Sequence, residues 1–442
     1  MKKIYRNILL SLAALGFLVV TPVIILYALG YRPGGQTGVL FVETVPRGAS
    51  VSVDGKFIGA SPEAKGNMAA GTAVLEITRA SYQPWKKTVL ISPSQSTEFR
   101  AIRLFLKQPV IQQIAAEVDS FSLSPNRGLL AVLNSRQTLY VIDADGEEVA
   151  VPNLLPSAPS QLLWSPDSTL ILLQYSDDTL QLFDIATGTL TPLPVGKITA
   201  ARNVFWDPRI PGRLFVLKED GTLIAYEHSR QAQITLAEGI VTYAVSNRHI
   251  YTINQRNILA RLTLQGETLN ESLVILEQPV ERMFISSLGH IALLFKDRRL
   301  SLLPANAAGL LDVAGNVQAA GFSPDGTMLY VQPGQHELFV FNVDNERLAH
   351  TPLKQLHLIT RLSQPINHPQ WFAGGQHLIF QVADQIVVSE IDTRDYPVTE
   401  TLDSTNLGNA QVSVGLDGEV LFYLKRLNDS IDLVKTAIVS ES

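Results

Sequence analysis

Leu162-Leu163-Trp164-Ser165-Pro166-Asp167-Ser168-Thr169-Leu170-Ile171-Leu172-Leu173-Gln174-Tyr175-Ser176-Asp177-Asp178-Thr179-Leu180-Gln181-Leu182-Phe183-Asp184-Ile185 holds the pattern that decides the fold. It runs from an apolar position through a Ser-Pro-Asp turn into a hydrophobic strand (170–173), then a polar turn and a second hydrophobic strand (180–185). Proline and the short polar residues punctuate, while the runs between them are short and rich in branched residues, the signature of strands. Ser124-Pro125-Asn126, Asp207-Pro208-Arg209 and Ser323-Pro324-Asp325 mark further copies.

Strand pairs extend the count beyond the turns: 129–133 with 139–142, 170–173 with 180–185, 214–217 with 223–226, 250–253 with 258–262, 291–295 with 300–303, 329–331 with 338–343, 378–382 with 386–391 and 420–424 with 431–434. A period of roughly forty residues with room for four short strands is that of a β-propeller blade. Copies four, five, seven and eight lack the proline, which leaves seven or eight blades; eight is favoured. The stretch 345–368 is longer than the other connections and is expected to hold a protruding loop. The Ser-Pro-Asp copies resemble the WD40-like repeats of TolB-type propellers. Trp206-Asp207 occupies the Ser-Pro-Asp position, not the end of a blade, so it is no sign of true WD40 repeats.

Ahead of the repeats, residues 38–105 alternate as short strands, with Val39, Phe41, Val51, Val53, Leu75, Ile77, Val89 and Ile91 expected to face one core. Asp54-Gly55 sits where a type I′ hairpin needs positive φ, so this aspartate belongs to a turn rather than to catalysis. The order Pro46-Arg47-Gly48-Ala49, Val51-Ser52-Val53-Asp54-Gly55-Lys56-Phe57-Ile58-Gly59, Ala70-Gly71-Thr72 and Tyr82-Gln83-Pro84-Trp85 resembles a PEGA domain. Arg47 stands at the motif glutamate and Ser81 where glycine usually precedes the tyrosine. The resemblance implies a surface-exposed β-sandwich module of membrane-linked or wall-associated bacterial proteins, with no shared catalytic residue.

Residues 8–29 carry no charge and follow Lys2, Lys3 and Arg6. A helix of that length, at about 1.5 Å per residue, reaches about 33 Å, enough for one crossing of a hydrocarbon slab of about 30 Å. Three basic residues before it against Arg32 shortly after it place residues 1–7 in the cytoplasm and the bulk of the chain outside. A cleaved signal peptide is the rival, but the apolar run exceeds the usual ~7 to 15 residues and Ala28-Leu29-Gly30 is a poor cleavage site. The expected organisation is a mainly β chain: transmembrane helix 8–29, linker 30–37, PEGA-like domain 38–105 and propeller 106–442.

The 442 residues include no cysteine, which excludes disulfides, lipoprotein thioether anchoring, thiolate metal sites and cysteine catalysis. A net charge of -6 with 17% charged residues argues against a nucleic-acid partner. Asp143-Ala144-Asp145-Gly146-Glu147-Glu148 gathers four carboxylates near a glycine but lacks the EF-hand spacing and reads as a plain hairpin. The eight histidines, among them His228, His249 and His290, form no ligand pair. Trp164, Trp206 and Trp371 read as packing between blades, and Trp85 as part of the PEGA pattern. No hydrolase elbow or phosphate loop occurs.

No catalytic, cofactor-binding or metal residue is therefore singled out, and no cofactor is expected. The leading reading is a membrane-anchored extracytoplasmic scaffold, not an enzyme, presenting its propeller to a protein or cell-wall partner. The alternative is an extracytoplasmic propeller hydrolase or lyase with its site at the central channel. A sensor would need a membrane partner to carry the output.

Overall fold

The structure, a computed structural model, describes residues 36–195, 204–305, 307, 309–345, 351–415 and 418–439. The expected transmembrane segment 8–29 lies outside them, and no described helix is long and apolar enough to cross a membrane. The chain divides between Leu104 and Phe105 into two units.

The first unit is built from two sheets, one of four strands and one of three. Ser50–Val53 and Gly71–Thr78 form the centre of the first, flanked by Lys56–Ala60 and Trp85–Ile91. In the second, Thr37–Val45 runs antiparallel to Glu63–Ala69 and parallel to Ser96–Arg103. Val51, Leu75, Ile77, Val89 and Ile91 are buried, and Trp85 meets Phe99 edge-on at 5.7 Å. Asp54 and Gly55 both take positive φ, as the hairpin requires, and Asp54 Oδ1 accepts the Val74 N–H at 2.8 Å.

One expectation is corrected. Leu40 and Val42 face the core, whereas Val39 is 40% exposed and Phe41 is half-buried beneath the Arg100 guanidinium. Val39-Leu40-Phe41-Val42 is apolar in both phases, so a period of two does not choose a face; pairing does. Gly38 shares the inward phase, and a Cβ there would lie 2.3 Å from the Ser92 carbonyl oxygen. Glu63–Ala69, a strand with no apolar alternation, escaped the sequence reading because it is a largely exposed edge. Ser81 adopts φ 70°, so the turn keeps the left-handed backbone that glycine would give.

The second unit is eight four-stranded antiparallel sheets among the described residues. Blade one is Val118–Leu123, Leu129–Asn134, Thr138–Asp143 and Glu148–Leu154; blade two is Gln161–Trp164, Leu170–Gln174, Leu180–Asp184 and Thr189–Pro192. Blade three is Val204–Trp206, Arg213–Leu217, Leu223–Glu227 and Ala232–Ala237; blade four is Ile240–Val245, His249–Asn254, Ile258–Thr263 and Thr268–Ile275. Blade five is Val280–Ile285, Ile291–Phe295, Leu300–Leu303 and Leu311–Ala314; blade six is Val317–Phe322, Met328–Pro333, Glu337–Asn342 and Leu356–Arg361. Blade seven is Ile366–Trp371, His377–Val382, Gln385–Glu390 and Thr399–Ser404. Blade eight takes Val412–Val414, Val420–Leu427 and Ser430–Ala437 from the C-terminal end and its outermost strand, Val110–Ala115, from the start of the unit.

Each pair of neighbouring blades shares one apolar cluster. Ile171 and Leu173 join Val141 of blade one, while Leu172, between them in sequence, joins Val216 of blade three. The same division recurs around the ring. Phe422 and Leu433 of blade eight then pack with Val118 and Leu130 of blade one, which closes it. A strand covered on both faces has no polar phase, so Leu170–Gln174, Arg213–Leu217 and Ile291–Phe295 are buried throughout. Closure is also polar: Asp432 accepts from Gln113 Nε2 at 2.8 Å and from the Glu117 N–H at 3.0 Å.

The Ser-Pro-Asp turns work through the serine. Ser165 Oγ donates to Asp167 Oδ1 at 2.6 Å and accepts the Leu170 N–H at 2.9 Å, stitching the turn to its strand. Ser323 makes the corresponding pair with Asp325 and Met328. In blades four and five, where proline is missing, Ser246 still accepts the His249 N–H and Ser286 the His290 N–H. Blade three substitutes a buried ion pair, Asp207 with Arg213. Part of the expected 345–368 loop is the outermost strand of blade six; residues 346–350 lie outside the described ones.

Candidate binding cleft

The first strands of blades one and two, and of blades four to seven, touch one another, so they are the innermost. In blades one, four, five and six that strand carries an extra residue directly after its first: Asp119, Val241, Glu281 and Gln318. Blade seven departs from the pattern. Its ladder is interrupted later, between Asn367 and Gln370, where Pro369 has no N–H to give and His368 sits at φ 50°. Left-handed backbone costs a non-glycine residue roughly 1–2 kcal/mol. His368 Nε2 bonds Asn409 Oδ1, which holds the ring in place.

A cleft opens beside these bulges, between side chains of blades six and seven. The cleft measures about 500 Å³, within the ~300–1,000 Å³ range of ligand sites. Five carboxamides line it, Gln318, Gln332, Gln335, Asn367 and Gln370, together with His368 and Tyr330, and among the described residues no Asp, Glu, Lys or Arg does. Gln332 is buried and donates Nε2 to the Ile366 carbonyl at 2.8 Å; Gln370 donates Nε2 to the Val412 carbonyl at 3.0 Å. These two brace the walls. Among the described residues, Gln335 and Asn367 make no side-chain hydrogen bond; Gln335 is exposed and Asn367 partly so. Burial pushes the Tyr330 phenol up to about 12, against a smaller opposing effect of Arg282, so near neutral pH it keeps its proton.

The residues weighed from sequence lie elsewhere. Asp143 closes a hairpin, its Oδ1 accepting the N–H groups of Asp145 at 2.9 Å and Glu147 at 3.0 Å, while Asp145 pairs with Lys435 at 2.8 Å. His228, His249 and His290 fall in or beside blades three, four and five; buried His290 accepts the Ala305 N–H at Nδ1, and desolvation lowers its pKa. Among the described residues no three His, Asp or Glu side chains gather as metal ligands would. Trp164, Trp206 and Trp371 end innermost strands and each donates its indole N–H to a carbonyl of the preceding blade, at Ser122, Leu163 and Gly321. Trp85 is buried in the first unit.

The sequence held only one signal for the carboxamides, and it was not read as a site. Asn367-His368-Pro369-Gln370 is polar where the other innermost strands are largely apolar, which is a local signal. That Gln318, Tyr330 and Gln335 face it depends on which blades adjoin.

A PEGA domain model matches residues 37–103, the first unit. No curated protein matches the chain. Among solved structures, the C-terminal WD40 domain of Sif2 is similar at 13% identity and a TM-score of 0.51, covering 74% of this chain and 98% of that one. A eukaryotic initiation factor is similar at 12% identity and a TM-score of 0.51, covering 72% of this chain and 84% of that one. Identities this low speak for fold alone: the chain joins a PEGA domain to a WD40-like β-propeller.

Proposed function

We propose that this chain is a single-pass bacterial envelope protein, anchored through residues 8–29, that holds its propeller outside the membrane as a protein-binding scaffold and does no chemistry. The apolar segment behind Lys2, Lys3 and Arg6 supports the anchor and its orientation. The PEGA match and the propeller's likeness to WD40 domains support a binding role. One observation carries the reading: among the described residues the cleft between blades six and seven is lined by carboxamides, a phenol and an imidazole, hydrogen-bonding groups suited to recognition. A hydrolase would need an acid and a base converging on substrate. The ionisable side chains of the innermost strands, Asp119, Glu281, Arg282, His368 and the buried Tyr243, are spread over four blades by contrast, with Glu281 paired to Arg298.

Crosslinking the tagged full chain in intact envelopes, followed by mass spectrometry, tests the scaffold. A recurrent protein partner, lost when the propeller is deleted, is expected; recovery of nothing above background would count against it. Protease added to intact cells tests the orientation and is expected to remove the propeller.

A further inference from the structure

We infer that the cleft between blades six and seven takes a short, extended, uncharged peptide segment of the partner. The inference rests on the propeller being a protein-binding ring and adds the site and the chemistry of its ligand. A carboxamide places one donor and one acceptor in a plane, the complement of the C=O and N–H that every peptide group offers. Gln335 and Asn367, from different blades, bring that pattern to the opening, with Gln318 beside them. The Tyr330 phenol adds a neutral donor.

Charge and shape discriminate among ligands. A charged side chain or phosphate entering here would lose part of its water without meeting an opposite charge among the described lining residues. A sugar would want an open aromatic face. Tyr330 is not placed to give one: its ring edge lies 2.7 Å from where a Gly321 Cβ would stand, and its ring is 6.4 Å from that of Trp371. An extended chain needs only hydrogen bonds along its edge, which the carboxamides at the opening can supply.

The test uses the full chain in detergent against arrays of short peptides lacking Asp, Glu, Lys and Arg. The same peptides with Lys or Asp inserted, and immobilised neutral glucans and peptidoglycan fragments, are the comparison. Uncharged peptides should bind with affinity nearly independent of salt, and N-methylation of one central backbone amide should abolish capture. Gln335→Ala with Asn367→Ala should weaken binding at least about tenfold, about 1.4 kcal/mol. Both side chains lie outside the interblade bonds of Gln332 and Gln370, so unchanged melting would confirm that the ring is intact.

Retention of glycans instead of peptides, preference for charged peptides, full binding by the double variant, or no capture of any probe would each overturn the inference. Crosslinked partner that survives the double variant would remove the cleft and leave the scaffold standing.

Discussion

Asp207→Ala breaks the turn of blade three, in which a buried ion pair replaces serine. Asp207 is 1% and Arg213 8% exposed. The carboxylate accepts Arg213 Nε at 2.6 Å and the N–H groups of Arg209 at 2.7 Å and Ile210 at 3.1 Å, while Arg213 also donates to the Leu264 carbonyl in blade four. Removing one partner strands the guanidinium in a dry site, which typically costs about 3–5 kcal/mol. A ring of this size, at about 2.1 cal/mol/K per residue, melts with an entropy of about 0.7 kcal/mol/K, so the Tm should fall by roughly 4–7 °C. Differential scanning calorimetry of the full chain reads this directly.

The decisive companion is Asp207→Ser with Arg213→Leu. The Asp207 N–H bonds the Arg213 carbonyl as the Ser165 N–H bonds that of Leu170, so the pair of changes keeps the backbone closure of the turn while removing both charges. Replacing both charges together removes the desolvation penalty, and most of the lost stability should return. A Tm within about 1 °C of the parent for Asp207→Ala, or a double variant as unstable as that single one, would refute the reasoning.

Asp432→Ala should loosen the ring at its seam by about 2–4 kcal/mol, because Gln113 and the Glu117 N–H both lose a charged acceptor; hydrogen exchange of residues 110–115 should rise before that of other blades. In the first unit, Leu40→Ala should cost about 2–5 kcal/mol and Val39→Ala less than about 1, read by denaturant unfolding; equal costs would mean the strand faces the other way. Burial, and secondarily Glu390, push Glu400 from 4.5 up to about 7, and its Oε2 is buried without a partner among the described residues. The folded state therefore binds this proton more tightly than the unfolded one, and its contribution is present below about pH 4.5 and lost as pH rises through about 7. Glu400→Gln should raise the Tm at pH 8 and change it little at pH 4, within about 1 °C; a uniform shift would contradict this.

Sequence alone determined what is local or repeated. The strand pairs it yields are the second and third strands of the blades, whose apolar runs stand out because both faces are covered. The edge strands were missed, since water on one side relaxes their composition. The Ser-Pro-Asp motif was legible, but its proline drew attention away from the serine, whose hydroxyl is the part that blades four and five keep.

Tertiary structure alone decided the rest. Val39-Leu40-Phe41-Val42 acquires an inside only when a second sheet faces it, since its own pattern is apolar in both phases. The eighth blade exists because a strand from the start of the propeller pairs with one more than three hundred residues away, a contact that no period reveals. The carboxamides of the cleft come together for the same reason: adjacency around a ring is set by closure, which places side chains of blade six beside those of blade seven.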